Sequence, residues 1–155
     1  MSDHDPYESL ADTRGRVLGV PAEEPGAALE YFCRTRLGHE TDAYDVRHDM
    51  AAGLGGFVVL DVRREDAYRQ EHIEGARHFS HHDMTRASVD SLDPAPVYVT
   101  YGWGPGCNAA VKGAAKLAAR GLRVKEMIGG LEYWKRQGFP TSAAPDPESE
   151  AERAR

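Results

Sequence analysis

The run Tyr101-Gly102-Trp103-Gly104-Pro105-Gly106-Cys107-Asn108 holds the densest chemical information in the chain. It joins an apolar stretch of strand character, 97–101, to an alanine-rich stretch of helical character that runs from about residue 108 to 120. Closely spaced glycines let a backbone curl until successive N–H groups converge, and a helix N-terminus adds more N–H groups and the positive end of its dipole. A turn of this kind suits a small anion. Cys107, one of two cysteines with Cys33, stands where that helix begins, and a thiol there ionises more readily. Two roles are open to it, a reactive thiolate or the more common small packing residue.

Other groupings carry less. His72, His78, His81, His82 and Asp83 form a histidine-rich stretch, but adjacent His81 and His82 converge poorly on one ion. No cysteine or glutamate completes a zinc spacing, so no metal site is assigned. The glycines at 102, 104 and 106 depart from the GxGxxG fingerprint even with Glu126 downstream, and no Lys-Ser/Thr pair follows them. Neither a dinucleotide site nor a P-loop fits, and no cofactor is expected. Asp61 and Arg63 close the most apolar segment of the chain at the sheet's expected carboxyl edge, where a catalytic role is conceivable and Arg63 is a weak candidate for helping an anion.

The whole-chain balance narrows the function classes. With 155 residues the chain has length for one domain with a proper core. Nineteen Lys+Arg against 25 Asp+Glu leave a formal charge of -6, which disfavours a nucleic-acid partner. No apolar run reaches the length that spans a bilayer, and the acidic opening Met1-Ser2-Asp3-His4-Asp5 does not suit a leader peptide. A cytoplasmic protein with reduced thiols and no membrane partner is the expectation.

The elements that must position the loop follow from local patterning. Residues 1–25 are polar and interrupted by Pro6, Pro21 and Pro25, and read as a flexible arm. From Gly26, residues Ala28, Leu29, Phe32, Cys33 and Leu37 fall at helical spacing, with Tyr31 and Phe32 expected to enter a core. A second helix is expected over 43–52, capped by Asp42 and stopped at Gly53. The continuous apolar run 57–62 predicts a strand covered on both faces. A helix over 64–70, a short strand over 76–79 and a strand over 97–101 precede the loop. After it come the long helix to Gly121, a strand over 124–128 and a helix over 131–137. Residues 141–155, with Pro145 and Pro147, read as a flexible tail. Strands alternating with helices predict an α/β fold, a mostly parallel sheet with helices on both faces.

Three stretches in the right order resemble the rhodanese family. The first is Val59-Leu60-Asp61-Val62-Arg63 with Glu65, Tyr68 and His72-Ile73-Glu74-Gly75-Ala76, against the family's DVR and GHIPGA. Glu71 replaces the first glycine of that second motif, and Glu74 replaces its proline. The second is the strand, glycine-rich loop and helix from 97 to 121. The third is Met127-Ile128-Gly129-Gly130-Leu131 with Trp134, Gly138 and Pro140, against the family's closing GG-x-x-x-W-x-x-x-G-x-P. The core motifs span 57–140, and the domain is placed at 26–140.

The resemblance implies a five-stranded, mostly parallel rhodanese-like sheet with an added N-terminal helical extension. It implies Asp61, Arg63, His72, Gly75, Gly129, Gly130 and Trp134 as structural motif residues. The loop is similar to a subgroup's Tyr-Cys-x-Gly-Pro-x-Cys-Asn, in which the first cysteine carries sulfane sulfur as a persulfide. Here Gly102 holds that position, and glycine has no atom to carry sulfur. The loop is also a few residues longer than the commonest family loop. Trp103, Gly104, Pro105, Gly106, Cys107 and Asn108 are expected to form the anion cradle, with Cys107 as a substitute nucleophile or as a packing thiol. The implied ligand is a small sulfur-containing anion or oxyanion, and the implied macromolecular partner a protein sulfur acceptor or, if the chain is a non-catalytic rhodanese-like module, a protein binding partner. An inherited loss and a deliberate replacement at 102 leave the same letter.

Overall fold

The computed structural model describes residues 17–18 and 21–144. The described chain separates into two units, one ending at Leu37 and the other beginning at Gly38. The first contains α1 (Pro25–Glu30), which starts on a proline and widens into a π-helical stretch, Tyr31–Leu37. None of its residues is buried. Tyr31 and Phe32 therefore depart from the expected core placement: they meet edge-on at 5.3 Å and stay 47% and 56% exposed. Among the described residues of that unit, no second helix or strand covers the apolar face.

The second unit runs β1 (Glu40–Thr41), α2 (Ala43–Ala51), β2 (Phe57–Asp61), α3 (Glu65–Gln70), β3 (His72–Ile73) and β4 (Arg77–His78). It continues through α4 (Arg86–Asp90), β5 (Val97–Tyr101), α5 (Ala109–Ala118), β6 (Val124–Met127), α6 (Gly130–Arg136) and β7 (Thr141–Ser142). Five strands form one sheet in the order β1-β6-β5-β2-β4, and every pairing in it is parallel. The α/β reading with a mostly parallel five-stranded sheet matches the molecule. β3 and β7 make a separate antiparallel ribbon, so Thr141 and Ser142 are paired where a flexible tail was expected. Residues 145–155 and most of the expected arm lie outside the described residues.

Alternation along the central strands divides the core into two layers, because successive strand side chains point to opposite faces. Val59, Val99 and Tyr101 pack with Ala43 and Val46 of α2 and with Leu131 and Trp134 of α6. Leu60, Val62 and Tyr98 pack on the other face with Val89 of α4 and with Ala109 and Leu117 of α5. Local signals set the helix ends. The Asp42 carboxylate accepts the N–H of Asp45 at 2.8 Å, and Gly53 follows α2 at φ +68°. α4 begins with a reciprocal cap between Thr85 and Ser88.

From β2 the chain runs outward to β4, then returns to the opposite side of β2 to lay down β5. The carboxyl ends of β2 and β5 thus lie where the strand order reverses, the place where open parallel sheets form ligand crevices. Asp61 ends β2, and Gly102 follows β5.

Candidate active-site loop

The floor of the crevice is a buried ion pair. Arg63 donates through Nε and Nη2 to Asp61 at 3.0 and 2.6 Å, and its backbone N–H donates to the same carboxylate at 3.0 Å. Nη2 also reaches the carbonyl of Glu71 at 2.6 Å. Burial works against the guanidinium charge, but the bond to Asp61 and its negative charge outweigh this and hold Arg63 above its ordinary value. Tyr101 donates its hydroxyl to Asp61 Oδ2 at 2.7 Å and accepts the N–H of Ile73 at 3.0 Å. Burial, then the Asp61 charge, push this phenol far up, so it stays a donor. Beside the pair, Tyr68 stacks on His72 at 3.8 Å and on His78 at 4.8 Å. The His72 ring bonds the carbonyl of Tyr68, and His78 bonds that of Arg63, both at 2.8 Å.

From Tyr101 the chain enters the loop, which α6 holds from one side. The N–H groups of Leu131 and Glu132 donate to the carbonyls of Gly102 and Trp103 at 3.0 and 2.8 Å. Free N–H groups at the start of α6 thereby find acceptors in the loop. This clamp demands a glycine at 130: φ is +59°, and a Cβ there would lie 2.6 Å from the Gly102 carbonyl oxygen. Position 102 differs. Its backbone lies outside the left-handed region, and an added Cβ would meet Cys107 Sγ at 3.4 Å and the Ala110 nitrogen at 3.5 Å. Those are ordinary contacts. Nothing about the backbone at 102 requires glycine.

Behind position 102, α5 begins without a side-chain cap from Asn108, so its first N–H groups have no partner within the helix. Thr100 fixes α5 against the sheet by donating to the carbonyl of Ala110 at 2.9 Å. A cavity of about 190 Å³ lies between the loop and the β6–α6 turn, lined by Gly102, Gly104, Cys107, Ala110, Glu126 and Gly130 among others. Cys107 is a free, half-buried thiol at its edge. Burial and then the charge of Glu40 push the Glu126 carboxyl above its usual range. The N–H of Cys107 turns inward to the Gly104 carbonyl at 3.0 Å, and Pro105 has none. Two of the residues expected to line the cradle therefore offer it no N–H group.

Trp103 leaves the loop on the other side, 48% exposed, with its ring centroid 4.3 Å from the Arg63 guanidinium carbon. It borders a larger cleft of about 620 Å³ beside Arg64, Arg69 and Gln70, which contains no thiol. Trp134 is fully buried under the sheet and donates to the carbonyl of Pro140 at 2.9 Å. Gly75 turns at φ +85° against Met50, and Gly129 at φ +82° precedes α6. His81 and His82 lie against each other at 4.0 Å, and Lys116 reaches the His81 carbonyl. Among the described residues no group of three or more His, Cys, Asp or Glu is placed to hold a metal ion.

Sequence reading gave no role to Tyr101, whose partner lies forty positions away. It also placed Glu126 only as a rejected dinucleotide residue. An aromatic at the end of a buried strand, beside a short polar loop, was the available signal for the first.

A family model described as a rhodanese-like domain matches residues 43–137. The thiosulfate sulfurtransferase GlpE of Coxiella burnetii is 36% identical over 90 residues, covering 56% of this chain and 78% of that protein. GlpE of Pseudomonas putida is 33% identical over 90 residues, covering 57% and 78%. Among solved structures, the BH2092 protein of Bacillus halodurans superposes with a TM-score of 0.74 at 34% identity, covering 83% of this chain and 98% of that one. A thiosulfate sulfurtransferase of Pseudomonas aeruginosa shares the fold, with a TM-score of 0.58 at 21% identity over 77% of this chain and 23% of that one.

Proposed function

Because this chain belongs to the family of rhodanese-like domains, we propose that it is a sulfurtransferase scaffold whose sulfur-carrying position is emptied by Gly102. In its lineage a cysteine thiolate at that position attacks the outer sulfur of a thiosulfate-like donor. The new S–S bond forms as the old one breaks, sulfite leaves with the electron pair, and the enzyme holds a persulfide for a thiophilic acceptor. The N–H groups at the uncapped start of α5 stabilise the negative charge. The acceptor is a protein or small thiol, and the compartment is the cytoplasm. No described helix is long and apolar enough to cross a membrane.

One observation carries this reading. Position 102 has side-chain room and an ordinary backbone, at the mouth of a loop whose clamp is intact, yet it bears no sulfur. As written, the chain is inactive or impaired in ordinary sulfur transfer. The test is thiosulfate-to-cyanide transfer by this chain, by Gly102→Cys and by Cys107→Ala. Activity in Gly102→Cys alone supports the proposal. Activity in the parent that Cys107→Ala abolishes makes Cys107 the nucleophile instead.

The preserved clamp without a thiol at 102 also favours a second reading, a non-catalytic module that binds an anion or a protein through the same loop. An inert Gly102→Cys protein that still binds an oxyanion selects it.

A further inference from the structure

The buried guanidinium of Arg63 has one unsatisfied corner. The residue is 3% exposed, Nε and Nη2 are taken by Asp61 and the Glu71 carbonyl, and Nη1 has no hydrogen-bond partner. A buried donor left in that state calls for an explanation. The indole of Trp103 supplies one, since its centroid is 4.3 Å from the guanidinium carbon while the Tyr101 ring is 5.8 Å away. A desolvated cation under an indole face is held more firmly than an exposed one.

Sequence position gives the contact its consequence. Gly102 stands between Tyr101 and Trp103, and both neighbours end on the same ion pair: Tyr101 on Asp61 through its hydroxyl, Trp103 on Arg63 through its ring. We propose that Trp103 and Arg63 are positioning residues, fixing the rotation of the 102–103 peptide and so the direction in which a side chain at 102 enters the cavity. The Gly102 carbonyl belongs to that peptide and accepts the N–H of Leu131 at 3.0 Å, so the α6 clamp holds the peptide from one side and the indole, resting on Arg63, holds it from the other. The inference rests on reading 102 as the sulfur-carrying position.

The experiment places a thiol at 102 and measures its alkylation by iodoacetamide against pH, peptide by peptide, under a phosphine reductant. Two second substitutions are compared in that Gly102→Cys protein. Trp103→Phe keeps an aromatic face for Arg63, and Trp103→Leu keeps only apolar bulk. Cys107 and Glu126 face the same cavity and are common to all the variants. We expect Trp103→Leu to slow alkylation about 10-fold and to move its pH midpoint upward, with Trp103→Phe within about 3-fold of the parent, the range set by one cation–π contact. Thermal midpoints of the two should agree within about 2 °C, because Trp103 is half-exposed.

A second measurement leaves position 103 untouched. Arg63→Lys should raise acrylamide quenching of tryptophan fluorescence about 2-fold, a change assigned to Trp103 because Trp134, the other tryptophan, is fully buried. Equal rates and pH profiles for the Leu and Phe variants, or unchanged quenching in Arg63→Lys, overturn the proposal. Alkylation needs no sulfur transfer, so these results stand apart from whether Gly102→Cys is an active sulfurtransferase.

Discussion

Placing a thiol at 102 by Gly102→Cys should cost no stability. The new Cβ would sit 3.4 Å from Cys107 Sγ, 3.5 Å from Ala109 Cβ and 3.5 Å from the Ala110 nitrogen, all in ordinary contact. The backbone at 102 is one that any residue adopts. Replacing glycine at such a site restricts the unfolded chain and stabilises by about 0.4–1 kcal/mol. Urea denaturation of the reduced protein should show that gain or no change, while thiosulfate-to-cyanide transfer should rise about 100-fold or more, the scale on which single catalytic groups act. The same geometry has a redox consequence. A disulfide between 102 and 107 would need the Cβ-to-Sγ separation to close by only a few tenths of an ångström from 3.4 Å. Oxidation should therefore silence the variant and a reductant restore it, with Gly102→Cys/Cys107→Ala indifferent to oxidant. A reduced Gly102→Cys protein destabilised by more than about 1 kcal/mol would refute the reasoning, because it would mean that position 102 is not open to a side chain.

Three further outcomes follow from particular contacts. Gly130→Ala should destabilise by about 2–3 kcal/mol in urea, since its Cβ strikes loop backbone at 2.6–2.8 Å with φ at +59°. Gly104→Ala, which meets the Glu132 side chain, its carboxylate at 2.7 Å and its Cβ at 3.2 Å, but no backbone atom, should cost about 1 kcal/mol; equal losses would contradict the clamp. Asp61→Asn leaves the Arg63 charge buried beside a neutral amide and should cost about 3–5 kcal/mol, and a loss below about 1 kcal/mol would show the pair to be dispensable. Glu71 is held below the usual carboxylate range first by its bond to Lys135, against the opposing effect of burial, with the Thr141 bond adding to the lowering. A depressed folded value means stability that is present above the unfolded value and lost as pH falls through the folded one, so Glu71→Gln should flatten the decline below about pH 4.5; an unchanged slope counts against the contact.

Much of the scaffold was readable because local physics decides it. The run 57–62 reads as a strand covered on both faces since its side chains serve both core layers, and Asp42 and Gly53 end α2 through their own side chain and backbone freedom. Elements that depend on distant partners were not readable. β1 is two residues long and exists through its pairing with β6, and β3 pairs with β7 seventy residues on. α4 has only five residues, too few for periodicity to show. At the loop, residue types predicted a converging set of N–H groups. They could not show that Cys107 spends its own on Gly104.

The sequence by itself determined what position 102 lacks, because a missing sulfur atom is a covalent fact that no folding changes. It also determined the order of the longer strands and helices, β2, α3, β5, α5, β6 and α6 among them, which follows from side-chain periodicity and caps within a few residues. Only the tertiary structure decided that 102 has room for a side chain, that its neighbours Tyr101 and Trp103 rest on one buried ion pair, and that α6 grips the loop by its carbonyls. Those contacts join residues some thirty to forty positions apart, and their geometry is set by how α6 and the ends of β2 and β5 pack together rather than by any local preference.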